Sequence, residues 1–308
     1  MNVAVIGANG FIGKHLVARL SSVKDVKVFA FDLGDQHSFD SGIIYRKNDL
    51  RDPKQIADDF KDIDVVYFLA SATIPVSSWE EPLTEIEKNL KPFISFSETV
   101  SKLRVKKIVF LSSAGTIYGM TKQKVSETSD KNPFSPYGII KLTIENFLLY
   151  FKTKYNISYD IYRVSNVYGE GQNTSKGLGL INTLLENIIS KGKITVFGDG
   201  ENLRNYIYVK DVAEVLSYSV TNSMDVSSTY NVSSDDTLTI NQVVEIIHNT
   251  VKEQFTVDRQ NTRLSDNAAI DLDNSKLKKA FPQFKFTPIS EGIAKTYAFI
   301  KTNSQKHS

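Results

Sequence analysis

The sequence has no cysteine at any of its 308 positions. That excludes disulfides, thiolate metal sites and cysteine nucleophiles, and it is compatible with a reducing compartment without proving one. Histidine is nearly as scarce. His15, His37, His248 and His307 are scattered without ligand spacing, so no metal is expected. No apolar run approaches the roughly 18 to 20 residues that span a bilayer. Met1–Gly7 also offers no charged flank, longer apolar core or small-residue cleavage site for a signal peptide. The expected location is the cytoplasm, with no membrane partner. Neither sign of charge is in excess: 37 Lys and Arg against 35 Asp and Glu leave a net charge of +2, which gives no reason to expect a nucleic-acid partner. The one basic run, Lys102 to Lys107, precedes a core strand and lacks interleaved aromatics, so it reads as a solvated helix end.

What remains is the balance of an ordinary globular protein, 41% hydrophobic and 23% charged, long enough for one large or two ordinary domains. Short apolar, β-branched runs recur at Val3–Ile6, Val26–Phe31, Val65–Leu69, Lys107–Leu111 and Tyr159–Arg163. They are too short for helices and too continuously apolar for strands with one wet face, which suits a parallel sheet covered on both sides. Amphipathic stretches alternate with them at Gly13–Leu20, Pro53–Phe60, Glu85–Leu103 and Ser135–Tyr155. The predicted fold class is α/β: a doubly wound parallel sheet of the Rossmann kind over residues 1–165. A smaller C-terminal α/β substrate domain follows over 166–308, with possible chain exchange between the two and a cleft between them. In that second part a helix is predicted over Leu178–Lys191, a strand over Ile194–Phe197, and helices over Ile240–Lys252 and Pro288–Ile300. The polar tail after Ile300 lacks periodicity and reads as a frayed end.

The first strand runs into Gly7-Ala8-Asn9-Gly10-Phe11-Ile12-Gly13 and then into an amphipathic helix. Glycines in that place let the chain turn sharply and bring backbone N–H groups and the positive end of a helix against a pyrophosphate. A lone glycine-rich turn is weak evidence; strand, glycines and helix in that order at the start of a βα series are much stronger. A P-loop does not fit, because Ala8 stands where its first glycine should be and His15 where its Ser/Thr should be. The second strand ends at Asp32, 19 residues past Gly13, where an acid accepts hydrogen bonds from an adenosine ribose and repels a 2′-phosphate. The expected cofactor is NAD rather than NADP, with Lys47 and Arg51 as complicating neighbours.

Tyr137 and Lys141 lie four residues apart, and so share a face of a helix. A phenol with a pKa of about 10 is a poor base near neutrality, but a neighbouring Lys⁺ and an oxidised nicotinamide both stabilise phenolate. Tyr137 would then move a proton on a sugar or alcohol oxygen. Alone, a Tyr-x-x-x-Lys pair is a common surface-helix pattern; the glycine turn gives it meaning.

With these residues in place the chain resembles the extended short-chain dehydrogenase/reductase family, in its nucleotide-sugar epimerase/dehydratase branch. The likeness extends over nearly the whole chain. It is carried by Gly7–Gly13, Asn48-Asp49-Leu50, Phe68-Leu69-Ala70-Ser71, Ser112–Gly119, Tyr137–Lys141, Arg163–Gly169, Phe197–Gly200 and Arg204–Ala213. By that resemblance Asp49 and Leu50 border the adenine, Leu69, Ala70 and Ser71 run beneath the cofactor, and Asn89 supports it from a helix. Lys141 bonds the nicotinamide ribose, while Asn166 and Arg204 hold the substrate pyrophosphate, a task for which the planar donors of arginine are suited. Phe197 stacks on the base or, equally, fills the core beside a strand. A homodimer, paired through helices near Glu85–Leu103 and Ser135–Tyr155, is implied in the same way.

One departure matters. In many members of that family a Ser or Thr stands four residues before the Tyr of the Tyr118-Gly119 pair, where this chain has Ala114. Ser113 and Thr116 flank the gap, and Thr116 is preferred by a small margin as the hydroxyl that meets the reacting oxygen. The Asp-Glu pair with which the family's 4,6-dehydratases eliminate water is replaced by Gly115-Thr116, which argues against dehydration. The expected function is an NAD-dependent 4-epimerase of a UDP-hexose, acting by transient oxidation at C4 and hydride return. The alternatives are a nucleotide-linked 4-keto-6-deoxyhexose reductase using NAD(P)H and, in another class, a non-catalytic dinucleotide sensor.

Overall fold

Apolar strands alternate with helical crossovers along the first half of the chain. The computed structural model describes residues 1–35, 37–121, 123–175, 177, 179–221, 224–261 and 270–306. In chain order these begin with β1 (Asn2–Ile6), α1 (Phe11–Ser21), β2 (Lys27–Asp32), β3 (Ile44–Lys47), α2 (Pro53–Phe60) and β4 (Val65–Phe68). There follow α3 (Pro82–Glu85), a π turn over Ile86–Leu90, α4 (Lys91–Val100), β5 (Lys107–Ser113), the short α5 (Ala114–Ile117), β6 (Lys124–Val125), α6 (Pro136–Tyr155) and β7 (Ser158–Val164). The remainder is β8 (Asn166–Tyr168), α7 (Leu180–Lys191), β9 (Lys193–Phe197), β10 (Leu203–Tyr208), α8 (Val209–Ser217), β11 (Ser228–Val232), β12 (Thr237–Thr239), α9 (Ile240–Val251), β13 (Thr256–Gln260), β14 (Asp271–Leu272), α10 (Ser275–Ala280) and α11 (Ile289–Lys306).

The chain forms two compact units. The first is Met1–Ile117 with Lys131–Arg163 and Val212–Tyr230. Its sheet has the strand order β11-β7-β5-β4-β1-β2-β3, and the pairings from β5 through β3 are all parallel. The order reverses between β1 and β4, the place where open α/β sheets bind ligands at the carboxyl ends of their strands. Register fixes that edge: Ile6 pairs with both Phe31 and Phe68, and Phe68 with Phe110. Gly7 and Leu69 therefore leave the sheet beside Asp32, the last residue of β2, and Leu111, which is still within β5. Beneath them the rings of Phe31, Phe60, Phe96, Phe68, Phe93 and Phe110 form a continuous chain with centroids 4.5 to 5.8 Å apart. Such offset and edge-to-face contacts bury large apolar area on rigid side chains.

The second unit is Tyr118–Asp130 with Val164–Asp211 and Asn231–Ser308. It holds a three-stranded sheet, β12-β10-β8, and the strand pairs β13-β9 and β14-β6. Helices α7 and α9 pack on α11. A capping box starts α9, with Thr239 and Gln242 bonding each other's backbone, and Gly192 at φ 60° ends α7.

Most predicted elements appear within a few residues of their expected bounds, with three exceptions. The stretch expected as one helix over Glu85–Leu103 starts at Pro82, passes through the π turn and ends at Val100. The tail after Ile300 is not frayed: α11 continues through Lys306, with Thr302 and Ser304 bonding back to the carbonyls of Ala298 and Ile300. Leu178, at the start of a predicted helix, and His307 lie outside the described residues.

Candidate active site

The glycine turn is tied to the neighbouring strand, with the N–H groups of Gly7 and Ala8 both donating to the Phe31 carbonyl. Gly7 has φ +81°, and a Cβ there would lie 2.9 Å from the Ala70 nitrogen. A Cβ on Gly13 would lie 2.2 Å from the Gly7 oxygen, so the loop and the first turn of α1 are in backbone contact. Gly10 precedes the helix and no side chain caps it. The N–H groups of Phe11, Ile12 and Gly13 thus lie at the positive end of α1 with no side-chain cap, which fits a pyrophosphate.

Asp32 ends β2 half-buried, one carboxylate oxygen accepting from Asn9 N at 2.9 Å and the other from Leu33 N at 2.8 Å. Both oxygens keep acceptor capacity, as a ribose diol requires. The basic neighbours are neutralised: Lys47 pairs with Asp35 at 2.9 Å and Arg51 with Asp49 at 2.5 Å. That second pair holds the Asp49 carboxyl below its ordinary range. Leu50 packs against the core. Leu69 donates its N–H to Ile6, and Ala70 faces Gly7, so the β4 exit and the glycine turn form one wall. Asn89 is buried and acts through the loop after that wall: its carbonyl accepts from Ala72 N at 2.8 Å and its amide donates to Thr73 Oγ1 at 2.8 Å and Glu85 Oε2 at 2.9 Å.

Helix α6 carries the acid-base pair. Ser135 accepts from Gly138 N at 3.2 Å and Pro136 occupies the first helical position, so Tyr137 lies in the first turn, where the helix dipole favours phenolate. Gly138 is required by a neighbour, since a Cβ there would lie 2.5 Å from the Thr116 carbonyl oxygen. Tyr137, Lys141, Ser71, Glu85 and Asn89 line one small cavity with apolar walls. Burial pushes the Tyr137 phenol up to about 12, a hydrogen bond with Ser71 acts in the opposite direction, and the Glu85 charge adds to the rise. Burial also brings the Lys141 ammonium down to about 8, against the pull of Glu85 and Glu145. Lys141 donates to the Leu111 carbonyl at 3.0 Å and sits 4.8 Å from the Phe110 ring centroid and 5.4 Å from that of Tyr137. In the protein alone burial therefore outweighs the expected lowering of the phenol, which is left to the added charge of an oxidised nicotinamide.

Below this pair the helix is anchored by Glu145, which forms a buried ion pair with Arg163 of β7 at 2.6 Å and accepts from Ser112 of β5 at 2.7 Å. Of the two candidate hydroxyls, Thr116 bonds back weakly to the Ser113 carbonyl at 3.4 Å and packs on Gly138. Ser113, half-buried at the end of β5, has no partner for its hydroxyl among the described residues. Ala114 is fully buried.

The second unit brings two of its three candidates together. Asn166 pairs in register with Tyr206, two residues from Arg204, and its amide donates to the Asn205 carbonyl at 2.9 Å. Phe197 lies on the separate β9-β13 pair, opposite Gln260 and just before Gly198 at φ 72°. Among the described residues no three His, Cys, Asp or Glu side chains cluster as a metal site would need, and no helix is long and apolar enough to cross a membrane.

The sequence reading missed Glu85. The signal lay in the spacing: Glu85 and Asn89 continue the inward stripe of Phe93, Phe96, Ser97 and Val100.

Comparison with known proteins extends this picture. Residues 3–233 match the model of the NAD dependent epimerase/dehydratase family. A UDP-glucose 4-epimerase of Lactobacillus helveticus is 32% identical over 232 residues, covering 70% of each chain. The structure of a UDP-glucose 4-epimerase of Thermotoga maritima with UDP-glucose superposes with a TM-score of 0.91 at 26% identity, over 99% of this chain and 100% of that one. One from Thermus thermophilus in complex with NAD gives 0.86 at 26% identity, over 98% of this chain and 99% of that one.

Proposed function

Because the chain belongs to the NAD-dependent epimerase/dehydratase family, we propose that it interconverts the C4 epimers of a UDP-hexose with NAD as its resident cofactor. The observation that carries the reading is the joint placement of Tyr137, Lys141 and the glycine turn. The phenol shares its cavity with Ser71 at the exit of β4, and that exit is in backbone contact with Gly7. Held at this edge, NAD would supply the hydride acceptor and donor for the C4 carbon. The nicotinamide end is assigned to Lys141, the diphosphate to the N–H groups of Phe11, Ile12 and Gly13, and the adenosine ribose to Asp32.

Tyr137 takes the proton of the C4 hydroxyl and returns it after the sugar has turned, so the proton is conserved over a cycle. Lys141 keeps positive charge below the phenolate while it carries that negative charge. Thr116 or Ser113 donates a hydrogen bond to the C4 oxygen; the unused hydroxyl of Ser113 and the contact of Thr116 with Gly138 leave both in play. Asn166 and Arg204 take the substrate diphosphate and Phe197 its base. The site carries Gly115-Thr116 where a dehydratase has two carboxylates, so water elimination from C5 and C6 has no acid-base pair.

A homodimer fits the exposed apolar residues Leu83, Ile86, Ile139, Leu149 and Tyr150 on α3, the π turn and α6. A cytoplasmic location fits the substrate class. The test is incubation of the purified protein with UDP-glucose or UDP-galactose and no added cofactor. Interconversion supports the epimerase, whereas consumption of NAD(P)H with a 4-keto-sugar as the only activity would replace it by a reductase.

A further inference from the structure

Glu85 closes α3 at the start of the π turn, and its side chain lies in a residue only 1% exposed. One oxygen accepts from Asn89 at 2.9 Å; the other is buried without a hydrogen-bond partner among the described residues. A buried carboxylate with an unbonded oxygen costs free energy that a glutamine of the same shape would largely avoid. The cavity it lines contains one cation, Lys141, and one further titratable group, Tyr137. Charge at such a place has a use when a neighbouring group must change protonation during a reaction.

We propose that Glu85 is the internal counter-ion of the Tyr137–Lys141 pair, a positioning residue that keeps the lysine charged inside the protein and governs how firmly the tyrosine holds its proton. This role rests on the epimerase reading only in its kinetic consequence. The groups facing the pair from each packed element are few. Helix α6 itself supplies Glu145, which Arg163 and Ser112 already engage. Strand β5 supplies the Leu111 carbonyl and the Phe110 ring, and the loop after β4 supplies Ser71. The π turn supplies Asn89, while its Glu87 and Lys88 are exposed, as are Lys91 and Glu98 of α4. Glu85 is thus the carboxylate that remains to balance Lys141. Its charge acts on both members in the same sense, raising the proton affinity of each. Both groups therefore follow the charge at position 85 together.

The experiment uses the full-length holoenzyme and Glu85→Gln, which keeps the hydrogen bond from Asn89 and removes the charge. Lysine labelled with carbon-13 at Cε, with the Lys141 signal assigned by Lys141→Met, reports its titration directly by NMR. The titration midpoint of Lys141 is expected to fall by about one pH unit, a tenfold change in proton affinity, and to stay near the native value in Glu85→Asp. Both limbs of the pH profile of kcat/KM for the UDP-sugar move in the acid direction with it. A folded Glu85→Gln protein with an unmoved Lys141 midpoint overturns the proposal. If that variant does not fold, Glu85→Met, uncharged and similar in length, replaces it; failure of both to fold assigns Glu85 to structure alone and also overturns it. Should the native protein not act on UDP-sugars, the functional reading fails while the lysine titration still decides the role of Glu85.

Discussion

At Tyr137 two opposing effects meet: burial holds the proton on the phenol, while the first turn of a helix and the Lys141 ammonium favour its loss. Tyr137→Phe removes the proton carrier and leaves the ring, so kcat is expected to fall by about 10² to 10⁴-fold, with NAD content and thermal stability retained. Absorbance of bound NAD and a thermal melt check both. Lys141 makes a different prediction because its proton affinity is lowered. Burying its ammonium opposes folding in full below pH about 8, and that opposition fades as pH rises toward the free-lysine value of 10.5. The difference in Tm between the native protein and Lys141→Met should therefore shift in favour of the native protein as pH rises across that window, while activity is lost at every pH. Tyr137 and Lys141 were legible in the sequence because four-residue spacing on a helix is a local property. Glu85 was not, since an acid in an amphipathic pattern reads as solvent-facing until the stripe it shares with Asn89 and Phe93 is seen to be buried.

At the scale of elements, two backbone contacts set the geometry of the site. Gly13→Ala would place a methyl 2.2 Å from the Gly7 oxygen, forcing the turn open; the purified variant is expected to lose its NAD. Gly138→Ala would push α6 off the Thr116 carbonyl and so displace Tyr137. A misplacement near 1 Å costs on the order of 10²-fold in rate, and here NAD content should remain, which separates the two variants. The parallel strands and their crossover helices were legible because each buried strand is a continuous apolar run and each helix repeats its apolar face. Strands β6, β8, β12 and β14, two or three residues long, were not. They exist through pairing with distant partners, such as Asp271 against Lys124, which no local pattern records. The polar end of α11 escaped for a related reason: its last turns carry Thr302 and Ser304, bonded back to the Ala298 and Ile300 carbonyls, where an apolar stripe would have marked a helix.

For the molecule as a whole, the first unit contains the buried Glu145–Arg163 pair, both side chains 5% exposed. Arg163→Met would leave a buried carboxylate with Ser112 alone, and a loss of about 3 to 5 kcal/mol is expected in a denaturant titration. In solution the protein is expected to sediment as a dimer, and charged residues at Ile139 and Leu149 should make it a monomer. Under the proposed function Tyr137 and a resident NAD act on one C4 centre and return what they take. The decisive experiment gives purified protein UDP-galactose, with no nicotinamide cofactor added, and follows UDP-glucose formation and the absorbance of reduced nicotinamide together. Steady conversion to an equilibrium mixture is expected, with no net accumulation of reduced cofactor and with the activity abolished by Tyr137→Phe. Conversion that persists in Tyr137→Phe at the native rate would refute the shared role of phenol and cofactor.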